Sequence, residues 1–374
     1  MLFRSQIKAI TGGFAVGEAI RQVNPDVMAV YPITPQTPIV EYFAQEVADG
    51  NADTEIIPVE SEHSAMSACI GAAAAGARTM TASSSQGIMY MLEMLPIASA
   101  MRLPIVMAVS TRAISGPLNI HGDHSDAMAM RDFGWIQLFA ESVQESYDHL
   151  ILGTKLAEKT LLPVAPNMDG FVTSHSVENV EIIADKVVKN FIGEYKPMQT
   201  LFDFKNPKTF GAIALSDSYF GFRKQVYDAM QEVEANFLKI AEEFKEISGR
   251  KYDLVEQYQT EDAEKVIVAM GATCGTVKAT VDRLREKGEK VGLLKIRLFR
   301  PWPKKTVQQA LKDAKEIFVL DKNLSFGSNQ VLAGDVESVL KRPVGSIVYG
   351  LGGREITEEE IENIFKGKVK NFLI

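Results

Sequence analysis

The sequence predicts an α/β protein with mostly parallel sheets, and three observations carry that prediction. Short β-branched or wholly apolar runs alternate with helix-like segments through the first half. The same alternation restarts near residue 265, and between the two lies a stretch whose apolar positions step by three and four. With 374 residues and 41.2 kDa the chain exceeds one ordinary compact domain, which fits two units.

The first unit opens with a strand over 26–31 (DVMAVY), the turn PITPQTP and a helix over 39–47. A second strand over 55–59 (EIIPV) runs into ESEHSAMSACIGAAAAGA, whose small residues suit a helix packed closely on a sheet. A strand over 79–82 and a loop over 83–87 follow. They lead into a helix over 88–101 with Met89, Leu92 and Leu95 at core spacing. LPIVMAV, at 103–109, is apolar throughout, as a strand buried on both faces of a parallel sheet must be. A strand over 135–139, a helix over 142–159 and the strand LLPVAPNMDG continue the pattern. Val226, Met230, Val233, Phe237, Ile240, Phe244 and Ile247 then predict one long bracing helix over 221–248. After the polar linker GRKYDLVEQYQTEDAE come strand KVIVAMG, a helix over 276–287, strand VGLLKI, a helix over 305–312 and strand EIFVLD. The expected domains are 1–250 and 262–374.

Composition narrows the function. Hydrophobic residues at 46% and charged residues at 24% exclude disordered, collagen-like and disulfide-scaffold classes. Forty Lys and Arg against 48 Asp and Glu, with no long basic run, make nucleic acid an unsuitable partner. Two cysteines, Cys69 and Cys274, cannot by themselves ligate an iron–sulfur cluster or an all-thiolate zinc. No signal-like pattern and no apolar run of about 18 residues occurs, so a cytoplasmic protein without a membrane partner is expected.

Four predicted strand-to-helix loops carry residues suited to chemistry. In Tyr31-Pro32-Ile33-Thr34-Pro35, two prolines brace Thr34, which either presents its hydroxyl or caps the next helix. In Glu60-Ser61-Glu62-His63, an acid at a helix start is either a dipole partner or, once covered by another subunit, a proton holder for a heterocyclic nitrogen. Ser83-Ser84-Ser85-Gln86-Gly87 either caps a helix or hydrogen-bonds an anion or ring edge. It lacks both GxxxxGK[ST] and GxGxxG spacing. Arg112, after LPIVMAV, suits a carboxylate clamp or an ion pair with Asp126 or Asp132. His121, Asp123, His124 and Asp126 are of metal-ligand type, but they crowd one short loop without a helical framework. Loop hydrogen bonding is the expectation, and no metal is assigned to this chain.

YPITP, ESEHSA, TASSSQG, LPIVMAVSTRA and GDHSDAMAMRDFGW, in that order, resemble the alpha subunit of 2-oxoacid:ferredoxin oxidoreductases, most of all the pyruvate branch. GRKY, TEDAE, RLFRPWP and GLGGREIT extend the resemblance over the second half. It implies a thiamine-diphosphate-enzyme pyrimidine-binding domain followed by a smaller transketolase-C-terminal-like α/β domain. The implied reaction is oxidative decarboxylation of pyruvate to acetyl-coenzyme A and CO2, with electrons passed to ferredoxin, reversibly. The resemblance maps the pyrimidine-contacting catalytic acid onto Glu62. It places cofactor contacts on Pro32, Ser85 and Gln86, and substrate contacts on Thr34 and Arg112.

The chain has no GDG motif and too few cysteines, so the Mg2+-diphosphate site and the [4Fe-4S] clusters are expected on partner subunits. The resemblance implies beta, gamma and delta partners, with ferredoxin as acceptor and coenzyme A as co-substrate. Branched-chain relatives share YPITPQT and VESEHSA, leaving 2-oxoisovalerate or another 2-oxoacid as the alternative, while GPLNIHGDHSD points to pyruvate. An oxalate relative would carry arginine in place of Thr34 and aspartate in place of Ser115. A stand-alone small-molecule binder or metal-dependent hydrolase built on HGDHSD is the competing class, which metal analysis of the isolated chain separates.

Overall fold

The computed structural model describes residues 6–373. Its strands in the first part of the chain are β1 (Gln6–Thr11), β2 (Val27–Val30), β3 (Glu55–Pro58), β4 (Thr79–Ser83), β5 (Val106–Thr111), β6 (Ile136–Phe139), β7 (Val164–Asp169) and β8 (Val177–Ile182). The rest are β9 (Val255–Tyr258), β10 (Lys265–Ala269), β11 (Val291–Ile296), β12 (Leu298–Arg300), β13 (Glu316–Asp321), β14 (Gly345–Val348) and β15 (Asn371–Phe372). A seven-stranded sheet has the order β12-β6-β7-β5-β4-β2-β3 and is parallel except where β12 runs against β6. A six-stranded sheet has the order β15-β14-β13-β10-β11-β9, with β9 antiparallel. β1 and β8 form a separate antiparallel ribbon.

Both faces of the larger sheet are covered, which is why every residue of central β5 is buried and Val106–Val109 is apolar without alternation. Helices Gly12–Val23, Val143–Thr160 and Val233–Ser248 build the core on one face, through residues such as Ile20, Tyr147 and Phe237. Helix Glu62–Ala75 lies on the other. Its Ser61 cap accepts from the Ser64 N–H, and Gly76 closes it in the left-handed region at φ 101°, where glycine carries no Cβ penalty. The alanines between them let the helix sit close to β2 and β4.

The structure departs from the predicted elements in several places. The helix expected over 88–101 is two, Ser85–Tyr90 and Leu95–Ala100, with Pro96 in the first turn of the second, where its missing N–H costs nothing. The helix expected over 221–248 is also two, Tyr219–Gln231 and Val233–Ser248, meeting at Glu232. The polar linker contains β9, paired with β11. The three residues of β12, following β11 directly, cross to the edge of the seven-stranded sheet.

Where the two large sheets approach, charge is buried in pairs. The Lys295 ammonium, 1% exposed, reaches Glu141 (2.5 Å), Glu145 (2.7 Å) and Glu256 (3.0 Å), and Arg297 reaches Glu145 and Glu256 at 3.0 Å each. The three carboxylates converge within 4.8 Å, and lysine and arginine occupy the position a cation would take. Burial works to raise the Glu145 carboxyl, but the Arg297 and Lys295 charges outweigh it and hold the group well below the carboxylate range.

Candidate active site

The parallel strands all end toward one side of the seven-stranded sheet, and the four loops selected from the sequence leave from the ends of β2, β3, β4 and β5. This edge is where ligands of open α/β sheets bind. Glu62 is the first residue of its helix, yet its side chain is buried and no Lys, Arg or His among the described residues pairs with it. Burial raises its pKa, only partly offset by its own backbone N–H.

The position of that carboxyl depends on Gly87. A β-carbon on Gly87 would stand 2.6 Å from Glu62 Oε1 and 2.5 Å from Ser83 Oγ, closer than non-bonded atoms allow. The acid therefore rests against a bare stretch of backbone beside Ser83, whose hydroxyl is fully buried and has no hydrogen-bond partner among the described residues. A buried carboxyl with a raised pKa and no cation partner among the described residues suits the nitrogen-bearing edge of a heterocycle, so these residues fit the pyrimidine of thiamine diphosphate.

Arg112, 5% exposed, bridges two loops through backbone carbonyls. Its Nε donates to Asn119 O (2.9 Å) and its Nη1 to Thr34 O (2.9 Å), so the structure brings Thr34 and Arg112 together. The ion pair with Asp126 or Asp132 does not form: no described carboxylate lies within ion-pair distance of the guanidinium, and Asp132 pairs with Arg131. Its Nη2 makes no hydrogen bond among the described residues. Burial lowers the pKa of this arginine and the nearby Asp126 charge offsets that only in part, without forming an ion pair.

Asp126 has a different task. Its carboxylate accepts the backbone N–H groups of Ser85 (2.8 Å), Arg112 (2.9 Å) and Ala127 (2.7 Å), tying the β4 and β5 loops to one point. Complete burial pushes its pKa up to about 7. Ser85 sits at φ 46°, and its hydroxyl donates to Ala113 O (2.5 Å), so that group is taken up within the protein. Gln86 is exposed and accepts from the Ser115 N–H (2.8 Å) through Oε1, and its amide nitrogen makes no hydrogen bond among the described residues; Pro32 is exposed on the rim.

The remaining HGDHSD residues diverge rather than converge on one point. Asp123 accepts from Ser125 and from Gly352 N–H (3.1 Å), and His121 packs on Phe171 with ring centroids 5.0 Å apart. His124 Nε2 meets Asp169 (3.0 Å), which also receives Lys322 Nζ (2.7 Å) and Ala272 N–H (2.7 Å). Asp169 thus ties the end of β7 to the second sheet. The sequence reading quoted Gly87 and Asn119 within their loops but assigned no role to them, nor to Asp169 and Lys322. Asp169 and Lys322 each stand at or just past the end of a recognisable strand, which is the one local signal they give.

A mostly parallel α/β domain carrying an isolated acid at its strand ends, joined to a second α/β domain, is the architecture of a pyrimidine-binding chain of the thiamine-diphosphate enzymes. Residues 18–242 match the model described as pyruvate flavodoxin/ferredoxin oxidoreductase, thiamine diphosphate-binding, and residues 263–361 match pyruvate:ferredoxin oxidoreductase core domain II. The chain belongs to this oxidoreductase family. It is 56% identical to pyruvate synthase subunit PorA of Thermotoga maritima over 98% of this chain and 95% of that one. It is 49% identical to the subunit of the same name from Methanocaldococcus jannaschii, over 96% and 94%. A ketoisovalerate oxidoreductase subunit VorA of Pyrococcus horikoshii is 42% identical, over 96% and 92%. In fold, the chain is similar to a 2-oxoglutarate:ferredoxin oxidoreductase from Magnetococcus marinus, with TM-score 0.74 at 21% identity. That match covers 97% of this chain and spans 65% of that chain's length.

Proposed function

We propose that the chain is the alpha-type subunit of a thiamine-diphosphate-dependent pyruvate:ferredoxin oxidoreductase. Pyruvate, coenzyme A and two oxidised ferredoxins give acetyl-coenzyme A, CO2, a proton and two reduced ferredoxins, and the reverse reaction is pyruvate synthesis. The observation that carries this reading is the buried, cation-free Glu62 carboxyl against Gly87. When bound, thiamine diphosphate supplies the carbon nucleophile and electron sink that decarboxylation of a 2-oxoacid requires.

Glu62 would hold the nitrogen-bearing edge of the pyrimidine and exchange a proton with it, its carboxyl kept in place by Ser83 and the bare Gly87 backbone. Arg112 binds the substrate carboxylate through Nη2 while its other nitrogens remain fixed on Asn119 and Thr34. The Thr34 hydroxyl would meet the keto oxygen, and the exposed Pro32 and Gln86 would frame the cofactor, with Ser85, its hydroxyl bound to Ala113 O, supporting that loop from behind. A beta subunit supplies the diphosphate site with Mg2+ and a [4Fe-4S] cluster, gamma and delta subunits complete the electron path to ferredoxin, and the complex works in the cytoplasm. Among the described residues no helix is long and apolar enough to cross a membrane.

The test is assembly. The chain alone should give no sustained pyruvate-dependent viologen reduction with thiamine diphosphate and Mg2+, and addition of a cluster-bearing beta subunit should restore it; turnover by the chain alone refutes the reading. The 42% identity to a ketoisovalerate oxidoreductase subunit keeps 2-oxoisovalerate as the second substrate reading. Comparing pyruvate, 2-oxobutyrate and 2-oxoisovalerate on one complex decides it, since each added methylene changes selectivity by about 1–3 kcal/mol.

A further inference from the structure

The loop after β5 reaches across to the second α/β domain, and the contact it makes there bears on Arg112. Residues 116–118 and Ile120 are exposed, so packing of these neighbours does not fix the carbonyl of half-buried Asn119, to which Arg112 Nε donates. The Asn119 side chain does. Its Oδ1 accepts the His121 N–H (2.7 Å), and its Nδ2 donates to Gly352 O (3.1 Å) in the turn after β14. The N–H of the same Gly352 donates to Asp123 Oδ2 (3.1 Å), so one residue of the second domain clasps the loop at two points.

The approach requires bare backbone. Gly352 has φ 61°, and a β-carbon there would overlap Asn119 Nδ2. The turn is itself held in place: a β-carbon on Gly350 would stand 3.2 Å from Lys322 Cε, and the Lys322 ammonium reaches Asp169 at the end of β7 (2.7 Å). Lys322 also fastens the loop a little further on, where its carbonyl accepts the His124 N–H (2.8 Å).

We propose that the second domain takes part in substrate recognition: the turn at 350–353, acting through Asn119, positions the Arg112 guanidinium for the 2-oxoacid carboxylate. This rests on the reading of Arg112 as the carboxylate clamp. A guanidinium is planar and rigid, so fixing two of its nitrogens sets the direction of the third. Nη1 is fixed on Thr34 O, in the first domain's own loop after β2, and Nε on Asn119 O, which the second domain holds. Asn119 and Gly352 are therefore positioning residues, and the aim of Nη2 depends on how the two domains are seated on each other. Arg112 engages the carboxylate already in the ground state, so a misplaced guanidinium raises KM more than it lowers kcat.

Steady-state kinetics of the assembled complex test this with Asn119→Ala, Gly352→Ala, Arg112→Ala and the double variant Asn119→Ala, Arg112→Ala. Asn119→Ala keeps the carbonyl but removes the clasp; KM for pyruvate should rise about 3- to 10-fold, the worth of one hydrogen bond, with kcat within about twofold of wild type. Gly352→Ala should raise KM at least as much. In the double variant, Asn119→Ala should add nothing to the effect of Arg112→Ala, because the group it positions is gone. An unchanged KM in folded Asn119→Ala, beside a raised one in Arg112→Ala, overturns the proposal and leaves the clasp as glue between domains, visible only in the unfolding midpoint. Multiplicative effects in the double variant overturn it too. A wild-type complex that does not turn over pyruvate, or Arg112→Ala with wild-type kinetics, refutes the reading of the site itself, and the proposal with it.

Discussion

Glu62 Oε1 lies 2.6 Å from the point a β-carbon on Gly87 would occupy, so the absence of a side chain in the first turn of one helix sets the place of the acid that starts another. Ser83 Oγ, 2.5 Å from the same point, borders the same notch. Gly87→Ala should displace the Glu62 carboxyl and lower turnover of the assembled complex by roughly 10- to 100-fold, because a misplacement of about 1 Å has that cost. In a Glu62→Asp background, whose shorter acid withdraws from the notch, the alanine should cost less. Steady-state viologen reduction on the four combinations checks this, and strictly multiplicative effects would remove Gly87 as a positioning residue.

Glu62→Gln keeps the shape but removes the acid. Turnover should fall by about 10²- to 10⁴-fold, and exchange of the thiamine C2 proton in the complex should slow with it. The unfolding midpoint should not fall, since the native carboxyl is buried without a cation. Near-normal C2 exchange would return Glu62 to a plain helix-start residue.

Arg112→Ala should reduce kcat/KM for pyruvate by roughly tenfold to somewhat over a hundredfold, the equivalent of about 1.5–3 kcal/mol for a charged hydrogen-bond pair. Thr34→Ala should cost less, because Arg112 is held by the Thr34 carbonyl, which the substitution retains. If Arg112→Ala changes stability while leaving kinetics intact, the guanidinium is a loop brace alone.

Asp169 provides the pH test. Burial works to raise it, but Lys322 and His124 outweigh that and hold it well below the ordinary carboxylate range. A depressed native pKa gives stability that is fully present above the unfolded value of about 4 and lost as pH falls toward the native one. Asp169→Asn should therefore lower the unfolding midpoint near neutral pH by roughly 5–15 °C, by stranding the buried Lys322 charge, and should flatten the acid limb below about pH 4. Calorimetry of both forms across pH 3–7 reads it; parallel acid limbs would contradict the assignment.

The sequence by itself determined where strands begin and which loops matter. β5, β10, β11 and β13 read as apolar runs because both faces are covered, and alternation with helices placed Glu62, Thr34 and Arg112 at strand ends. Hydrophobic spacing could not reveal the break within 88–101, since Met91 and Leu95 are both buried on either side of it and the core-facing period continues through the bend. β12 was illegible for a different reason: three residues give no period, and its partner β6 lies more than 150 residues away.

Only the tertiary structure decided the partners of the site residues. Arg112 is held by the carbonyls of Asn119 and Thr34, and a carbonyl is the same in every residue, so no side-chain pattern points to it. Asp169 finds Lys322 across 153 positions, and Glu62 finds the bare backbone of Gly87 in the first turn of another helix. Such contacts depend on which strands pair and how closely the loops approach. Local sequence fixes periodicity and caps within a few residues, whereas the choice among distant polar partners is made by packing, once the sheet has brought its strand ends to one edge.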